Sequence, residues 1–223
     1  SKDLSVVTVD SVVLSRIWIA GLAAYQKKME YGPAHITATN VEVRDMSPSA
    51  LVQRGSNIRI NGDYAPTVEL SIADFYGRLE ALAQMQSLDY ALGTALKLQG
   101  FTLLTPEVRP GDTLQLSLYW RAEAAPALNY TVFIHVYDET GNLITQQDMM
   151  PAEGTAPTSR WEPGQFVEDF HIIQLPEDLP PGEYHILVGM YDFQTGARLP
   201  ITTPEGEELP DAIIELGTFK VLE

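Results

Sequence analysis

Apolar and polar positions alternate most regularly in the second part of the chain. In residues 183–191, Tyr184, Ile186, Val188 and Met190 share one face, and residues 113–121 place Leu114, Leu116, Leu118 and Trp120 on one face. Such alternation is typical of strands with one buried face. It predicts strands at 95–104, 113–122, 130–138, 142–149, 165–175, 183–192, 197–202 and 212–222. Strands this short, with turn residues between them, indicate an antiparallel β-sandwich over residues 92–223.

Residues 1–86 show a more mixed pattern. Val-rich or alternating segments predict strands at 4–13, 35–46 and 56–62, with a bulge near Asn40. Three- and four-residue spacing of apolar side chains predicts helices at 14–30 and 72–86. The fold class expected for the whole chain is therefore mainly β, with a small α+β unit at 1–86 preceding the sandwich.

Two turns in the second part have similar sequences. Each closes a predicted strand with Tyr-Asp and then reaches Thr-Gly, at Tyr137–Gly141 and Tyr191–Gly196. The side chain of an aspartate that opens a turn can accept hydrogen bonds from backbone N–H groups of the turn, and glycine can adopt the positive φ that the turn requires. The repeat therefore has a structural explanation that requires no function.

The net charge of −16 is concentrated in the second part of the chain. Residues 1–92 carry 10 acidic and 8 basic side chains, whereas residues 93–223 carry 20 and 6. A negative field repels the phosphates of nucleic acid and anionic lipid, so we exclude nucleic acid as a partner. Neutral glycans, basic protein surfaces and Ca²⁺ remain open. The absence of cysteine excludes disulfides, thiolate metal sites and a cysteine nucleophile.

Neither a membrane span nor a signal peptide is visible in the sequence. The most apolar stretch, residues 17–24, is far shorter than the roughly 20 residues that a spanning helix needs. The first residue is Ser1, which suggests a processed or truncated product. Any membrane association is therefore expected through a removed anchor or a parent protein.

Several motifs in the second part resemble a known family. They include the segments 95–101, 108–114, 118–120, 130–136, 161–164, 179–184 and 189–192. The run is similar to the C-terminal β-sandwich domain of bacterial membrane glycosyltransferase-like envelope proteins. The resemblance implies an Ig-like sandwich located outside the cytoplasm, in the cell envelope or extracellular space, without catalytic residues. Its motif residues are turn formers and core aromatics, so it transfers no binding residue.

Residues 1–86 resemble, more weakly, the lipid-associated envelope domains of bacteria, through the segments 38–43 and 56–60. That resemblance implies an apolar groove lined by Trp18 and Phe75. The alternative is that both aromatics belong to an ordinary core.

Outward-facing aromatic residues of the sandwich form the first candidate site. Tyr119, Phe133 and Tyr137 fall on the outer positions of their predicted strands, where flat rings can stack on sugar rings. The alternative is that this face is covered by the N-terminal unit or by a partner chain.

Two further candidates involve metals. His135 and His185 would share an outer face if their strands are neighbours, but two histidines do not complete a metal site. Glu205, Glu207, Glu208 and Asp211 cluster in one loop whose oxygens suit Ca²⁺, although their spacing matches no EF-hand. Half-exposed strand residues and a solvated hairpin tip are the simpler interpretations, so no cofactor is predicted.

No motif of an enzyme is present. The sequence contains no Gly-x-Ser-x-Gly, no His-Glu-x-x-His and no phosphate-binding glycine loop. The leading prediction is a non-catalytic binding module of the bacterial cell envelope, with polysaccharide or another envelope protein as its partner. The alternatives are a structural protein-interaction module and a lipid-binding N-terminal domain with the sandwich as a spacer.

Overall fold

A computed structural model describes residues 6–15, 22–24, 32–44, 50–53, 56–64, 69–70 and 84–223. The chain divides into two compact units, Ser1–Ala83 and Gln84–Glu223. The described residues are mainly strands, with short 3₁₀ turns and no α-helix. No helix among them is long and apolar enough to cross a membrane.

The described part of the first unit consists of short strands that pair mostly in parallel. They are Val6–Asp10 (β1), Val13–Ser15 (β2), Leu22–Ala24 (β3), His35–Thr39 (β4), Glu42–Arg44 (β5), Ala50–Gln53 (β6), Asn57–Ile60 (β7), Asp63–Tyr64 (β8) and Glu69–Leu70 (β9). β1 pairs with β4 and β4 with β7, β2 pairs with β5, and β3 pairs with β6 and β6 with β9. Successive passes of the chain thus stack three ladders, as in a three-sided parallel β-helix, and β8 folds back antiparallel on β7.

The described apolar side chains of the first unit form two small buried clusters. Ile36 and Ile58 are register partners in the first ladder and lie in one cluster with Ala24 and Val52 of the third. Val41, which follows the first ladder, packs with Ala38. The first and third ladders therefore share buried apolar contacts.

Left-handed residues form the corner that follows the first ladder. Ser11, Asn40 and Asn61 end β1, β4 and β7 with φ of 57°, 52° and 52°, and asparagine accepts this conformation more readily than most residues. Asn61 accepts a hydrogen bond from the Val41 amide through Oδ1 (2.9 Å) and donates to the Val41 carbonyl through Nδ2 (2.8 Å). The bulge predicted near Asn40 is thus wrong: Asn40 lies in a corner between β4 and β5.

Neither predicted helix is found in the described residues. Leu14 and Ser15 belong to β2 and Leu22–Ala24 form β3, so a continuous helix over 14–30 is wrong. Residues 72–83 of the second predicted helix, including Phe75, lie outside the described residues, as does Trp18. The last residue of that prediction, Gln86, begins a strand.

The second unit is a sandwich of two five-stranded sheets. Its strands are Gln86–Leu92 (β10), Leu96–Leu103 (β11), Glu107–Val108 (β12), Thr113–Ala122 (β13), Tyr130–Asp138 (β14), Leu143–Met149 (β15), Phe166–Gln174 (β16), Gly182–Asp192 (β17), Ile201–Thr202 (β18) and Ile214–Val221 (β19). One sheet has the order β16-β13-β11-β10-β18, and the other has the order β12-β19-β17-β14-β15. The prediction of a mainly β chain with a β-sandwich is confirmed.

The sandwich core lies between the two sheets. The alternating residues of β13 and β17, including Leu116, Trp120, Ile186 and Met190, are fully buried in one cluster. Strand β10 was missed by the sequence analysis, which placed a helix and a boundary there. The predicted strand at 197–202 is present only as the two residues of β18.

Candidate functional site

The three aromatics predicted to form a glycan-binding row do not lie on one surface. Tyr119 is on β13, whereas Phe133 and Tyr137 are on β14 of the opposite sheet. Each side chain points away from the core between the sheets. Tyr119 therefore faces in the opposite direction to Phe133 and Tyr137. Tyr119 is also 0% exposed: its ring stacks on Phe166 at 5.8 Å between centroids. The grouping of Tyr119 with the other two is therefore wrong.

Phe133 lies flat on its own sheet and is only 2% exposed. Its register partner on β17 is Gly189, and a Cβ at that position would overlap the ring. The guanidinium carbon of Arg198 lies 4.7 Å from the centroid of the Phe133 ring. Phe133 is thus a covered packing residue with little surface for a sugar, while the half-buried Tyr137 retains some exposure.

The two predicted metal-binding histidines lie on one outer face but are offset along it. His135 is opposite Leu187, and His185 is opposite Tyr137. His185 Nδ1 is 2.7 Å from Glu215 Oε1. Burial lowers the pKa of His135 from its ordinary value of 6.5, and the nearby Arg198 charge lowers it further, against the opposing effect of Asp148.

The described residues contain no group of three or more histidine, cysteine or acidic side chains that could hold a metal ion. The acidic loop at 205–211 is a hairpin tip in which Gly206 N–H donates to the Thr203 carbonyl at 2.9 Å. Its four carboxylates are all exposed. The loop is therefore a solvated turn in this structure.

A pocket of about 700 Å³ lies at one end of the sheet that carries Phe133. The pocket is not visible in the sequence, because three loops that are distant along the chain form it. The described residues that line it are Ala127, Leu128, Asn129, Thr131, Asp148, Met149, Met150, Glu153, Gly154, Ser159, Tyr191, Asp192, Phe193 and Gln194. This is the end of the sandwich at which β14 begins and β15 and β17 end.

The turn after β17 supplies the most exposed aromatic ring of the pocket. Phe193 is 75% exposed at the tip of this turn. The Asp192 carboxylate fixes the turn: Oδ1 accepts the Gln194 amide at 3.0 Å, and Oδ2 accepts the Thr195 hydroxyl at 2.8 Å. Asp192 thus has the capping role predicted from the repeated turn, and the ring of Phe193 is held out on a defined backbone.

A tyrosine and a carboxylate meet inside the pocket. The Tyr191 hydroxyl donates to Asp148 Oδ2 at 3.1 Å. Burial raises the pKa of Tyr191, and the hydrogen bond to Asp148 and its charge raise it further. Tyr191 therefore remains a neutral hydroxyl, and its ring lies 6.4 Å from that of Phe133. Phe133 of the predicted row thus contacts a pocket residue but is not part of the pocket lining.

The opposite side of the pocket is built from two segments that hydrogen-bond each other. The Thr158 hydroxyl donates to the Leu128 carbonyl at 2.7 Å and accepts from the Tyr130 amide at 2.9 Å. Asn129 Oδ1 accepts the Ser159 amide at 3.1 Å. These contacts hold the loop before β14 against the loop after β15.

The lining combines apolar surface with hydrogen-bond acceptors. Phe193, Leu128 and Met150 are exposed apolar side chains, and Asp148, Asp192 and Glu153 contribute carboxylates. None of the described lining residues is basic. Carboxylates accept hydrogen bonds from hydroxyl groups, and an aromatic ring can pack on an apolar sugar face. An exposed phenylalanine within the Asp192–Gly196 turn is the one sequence signal that could have indicated this site.

Comparisons with known proteins give only distant structural similarity. No family model matches the chain, and no curated protein matches it. Over 52% of its length the chain is similar to a family 123 glycoside hydrolase from Clostridium perfringens, at 13% identity and a TM-score of 0.34, and it covers 22% of that protein. It is also similar to the C-terminal domain of wzt, at 11% identity and a TM-score of 0.38, over 60% of this chain and 87% of that one.

Proposed function

We propose that the chain is a non-catalytic binding module of the bacterial cell envelope, and that its sandwich binds neutral polysaccharide in the pocket beside Phe193. The observation that carries the proposal is the pairing of this exposed ring with carboxylate and amide acceptors in one concave site. A sugar presents an apolar face and a rim of hydroxyl donors, which matches both kinds of lining group.

The charge of the lining narrows the ligand class. Asp148, Asp192 and Glu153 surround the pocket without a basic residue among its described lining. Uronic acids, sialic acids and phosphorylated sugars would meet like charge, which costs binding energy. Neutral hexoses and N-acetylated sugars are therefore the expected ligands.

The arrangement of the carboxylates supports binding over catalysis. Both oxygens of Asp192 accept hydrogen bonds that build its turn, and Asp148 is bonded to Tyr191. A glycosidase requires one carboxylic acid and one carboxylate free to act on the scissile bond. Here two of the three acidic side chains have structural partners. The envelope location rests on the resemblance of residues 92–223 to envelope domains.

A glycan array tests this proposal, followed by calorimetric titration of the strongest neutral hit with and without Ca²⁺. Phe193→Ala is expected to weaken binding by about two- to tenfold, because an aromatic contact beyond simple burial is worth roughly 0.5–1.5 kcal/mol. Phe170→Ala is the matched control: Phe170 is also an exposed phenylalanine but lies on β16 of the other sheet. It should bind like the wild type.

Two outcomes would contradict the proposal. One is the absence of binding to any neutral glycan at millimolar concentration. The other is equal binding by Phe193→Ala and the wild type, which would place the ligand elsewhere. Binding restricted to acidic glycans would refute the expected ligand class, since the pocket offers no positive charge among its described residues.

One observation favours the second candidate function, a protein-interaction module. Phe170 and Ile172 are both exposed on β16, an edge strand of its sheet. Exposed apolar residues on an edge strand suit contact with another chain. If this reading holds, Phe170→Ala and not Phe193→Ala would abolish capture of an envelope partner. The lipid-binding function of residues 1–86 stays a prediction, because Trp18 and Phe75, which would line its groove, lie outside the described residues.

A further inference from the structure

A buried polar cluster lies between the two sheets behind the pocket. Asp169 and His171 point inward from β16 and are 0% and 2% exposed. A buried carboxylate is unfavourable unless hydrogen bonds replace its lost water. The partners of Asp169 therefore indicate what the cluster does.

The Asp169 carboxylate accepts hydrogen bonds from two different parts of the sandwich. Oδ2 accepts Trp120 Nε1–H at 3.1 Å, from β13 in the same sheet. Oδ1 accepts the Ala152 backbone N–H at 2.8 Å, from the turn that follows β15. The carboxylate thus connects a core tryptophan to a loop.

His171 extends the cluster to the opposite sheet. Gln147 Nε2 donates to the Ile172 carbonyl at 2.9 Å, which leaves Gln147 Oε1 as the acceptor for His171 Nδ1 at 2.8 Å. His171 Nε2 lies 2.9 Å from Asp169 Oδ2, close but not aligned as a hydrogen bond. Hydrogen bonds from Trp120 and Ala152 therefore hold Asp169 from two sides, and His171 packs beside it.

The turn held by Asp169 has an unfavourable backbone. Ala152, Glu153 and Gly154 have φ of 51°, 54° and 80°, three left-handed residues in succession. Left-handed conformations are costly for alanine and glutamate and persist only where surrounding contacts impose them. Without Asp169, the Ala152 N–H would lose its hydrogen-bond partner. The first of the three left-handed residues would then no longer be held in place by this side chain.

This turn forms one wall of the pocket. Met150, Glu153 and Gly154 line it directly. We infer that Asp169 is a positioning residue: its carboxylate, which accepts a hydrogen bond from the Trp120 indole N–H, holds the left-handed turn at Ala152–Gly154 in the shape that presents Met150 and Glu153 to the ligand. As a statement about ligand binding, the inference rests on the proposed function. The effect on the turn itself can be measured without any ligand.

The test is amide hydrogen exchange of the full chain, comparing the wild type with Asp169→Asn. Exchange at Ala152–Thr155 should become at least about tenfold faster, because a hydrogen bond to a charged group is worth roughly that factor. A Glu-specific protease should also cleave after Glu153 faster in the variant. Glu215→Gln is the matched control, since it removes an exposed carboxylate bonded to His185 and should leave this turn protected.

A rescue variant separates positioning from a general loss of stability. Ala152→Gly in the Asp169→Asn background removes the penalty of one left-handed residue, so it should restore at least part of the protection. If Asp169→Asn does not fold, Gln147→Ala on β15 tests the same cluster and should also loosen the turn.

Two results would overturn the inference. One is a uniform acceleration of exchange over all strands without rescue by Ala152→Gly, which would mean that Asp169 only stabilises the core. The other is unchanged exchange at the turn. A glycan array that finds no ligand would refute the proposed function, while the exchange measurement would still decide whether Asp169 positions the turn.

Discussion

Replacement of Gly189 by alanine is expected to destabilise the sandwich. A Cβ at this position would overlap the ring of Phe133 and lie 2.9 Å from the Ala212 carbonyl oxygen. Real Cβ atoms do not approach this closely, so the ring or the backbone must move. Overpacking of this kind costs about 1–3 kcal/mol. For a chain of this size, each kcal/mol lowers the melting temperature by about 2–4 °C.

The assay is urea and thermal unfolding followed by circular dichroism, with Gly182→Ala as the matched control. Gly182 begins the same strand, and its added Cβ would meet only Tyr184 Cε2 at an ordinary 3.9 Å. That substitution should change the free energy of unfolding by less than about 0.5 kcal/mol.

A double-mutant cycle identifies the ring as the cause. Phe133→Leu removes the ring atoms that lie over Gly189, so Gly189→Ala should cost less in that background than in the wild type. Equal costs in both backgrounds would refute the reasoning, since the clash would then come from the Ala212 carbonyl alone. Equal stability of Gly189→Ala and Gly182→Ala would show that the Phe133 ring does not pack directly on Gly189.

Two further predictions concern the turns. Backbone and side-chain hydrogen bonds from Asn142, with the Thr140 hydroxyl, lower the pKa of Asp138 to about 2, so carboxyl NMR should show ionisation persisting well below pH 3.8. The stabilisation that ionised Asp138 contributes is complete above pH 3.8 and disappears as the pH falls through about 2. Titration of Asp138 near pH 3.8 would contradict this prediction. Asn61→Gly keeps the left-handed corner but removes both bonds to Val41, so it should destabilise the first unit by about 1–3 kcal/mol in urea unfolding, and an unchanged midpoint would contradict it.

The sandwich was predictable from sequence because its strands are long and have one buried face. In β13 the inward residues Leu114, Leu116, Leu118 and Trp120 are all fully buried, and alternation over ten residues is hard to mistake for another period. Alternation cannot show what covers an outer face, however. Tyr119 was therefore taken as accessible although it is completely buried.

The first unit was not predictable in the same way because its strands are too short. β2 and β3 have three residues each, which is too few to display a period of two. Apolar residues on short strands that are separated by corners recur at three- and four-residue steps, which is the spacing of a helix face. Only the parallel pairing between successive passes, at separations such as Val6 to His35, defines the coil.

The pocket could not be found by strand patterns because loops form it. Leu128 and Asn129, Met150 and Glu153, and Phe193 come from three separate connections that meet at one end of the sheet. Their contact depends on the order of β15, β14 and β17, which no local signal reveals. The repeated Tyr-Asp turns were recognised as turn chemistry, and the structure shows that one of them also carries the exposed ring.

The most direct test of the central claim is chemical-shift mapping of the ¹⁵N-labelled full chain, titrated with the strongest neutral glycan from the array. If glycan binds in the pocket, the perturbed amides cluster at 127–131, 148–154 and 191–194, the segments that line it. The perturbations should also become smaller in Phe193→Ala. Perturbations confined to β16 around Phe170, or none at saturating ligand, would contradict the assignment of the pocket as a glycan site.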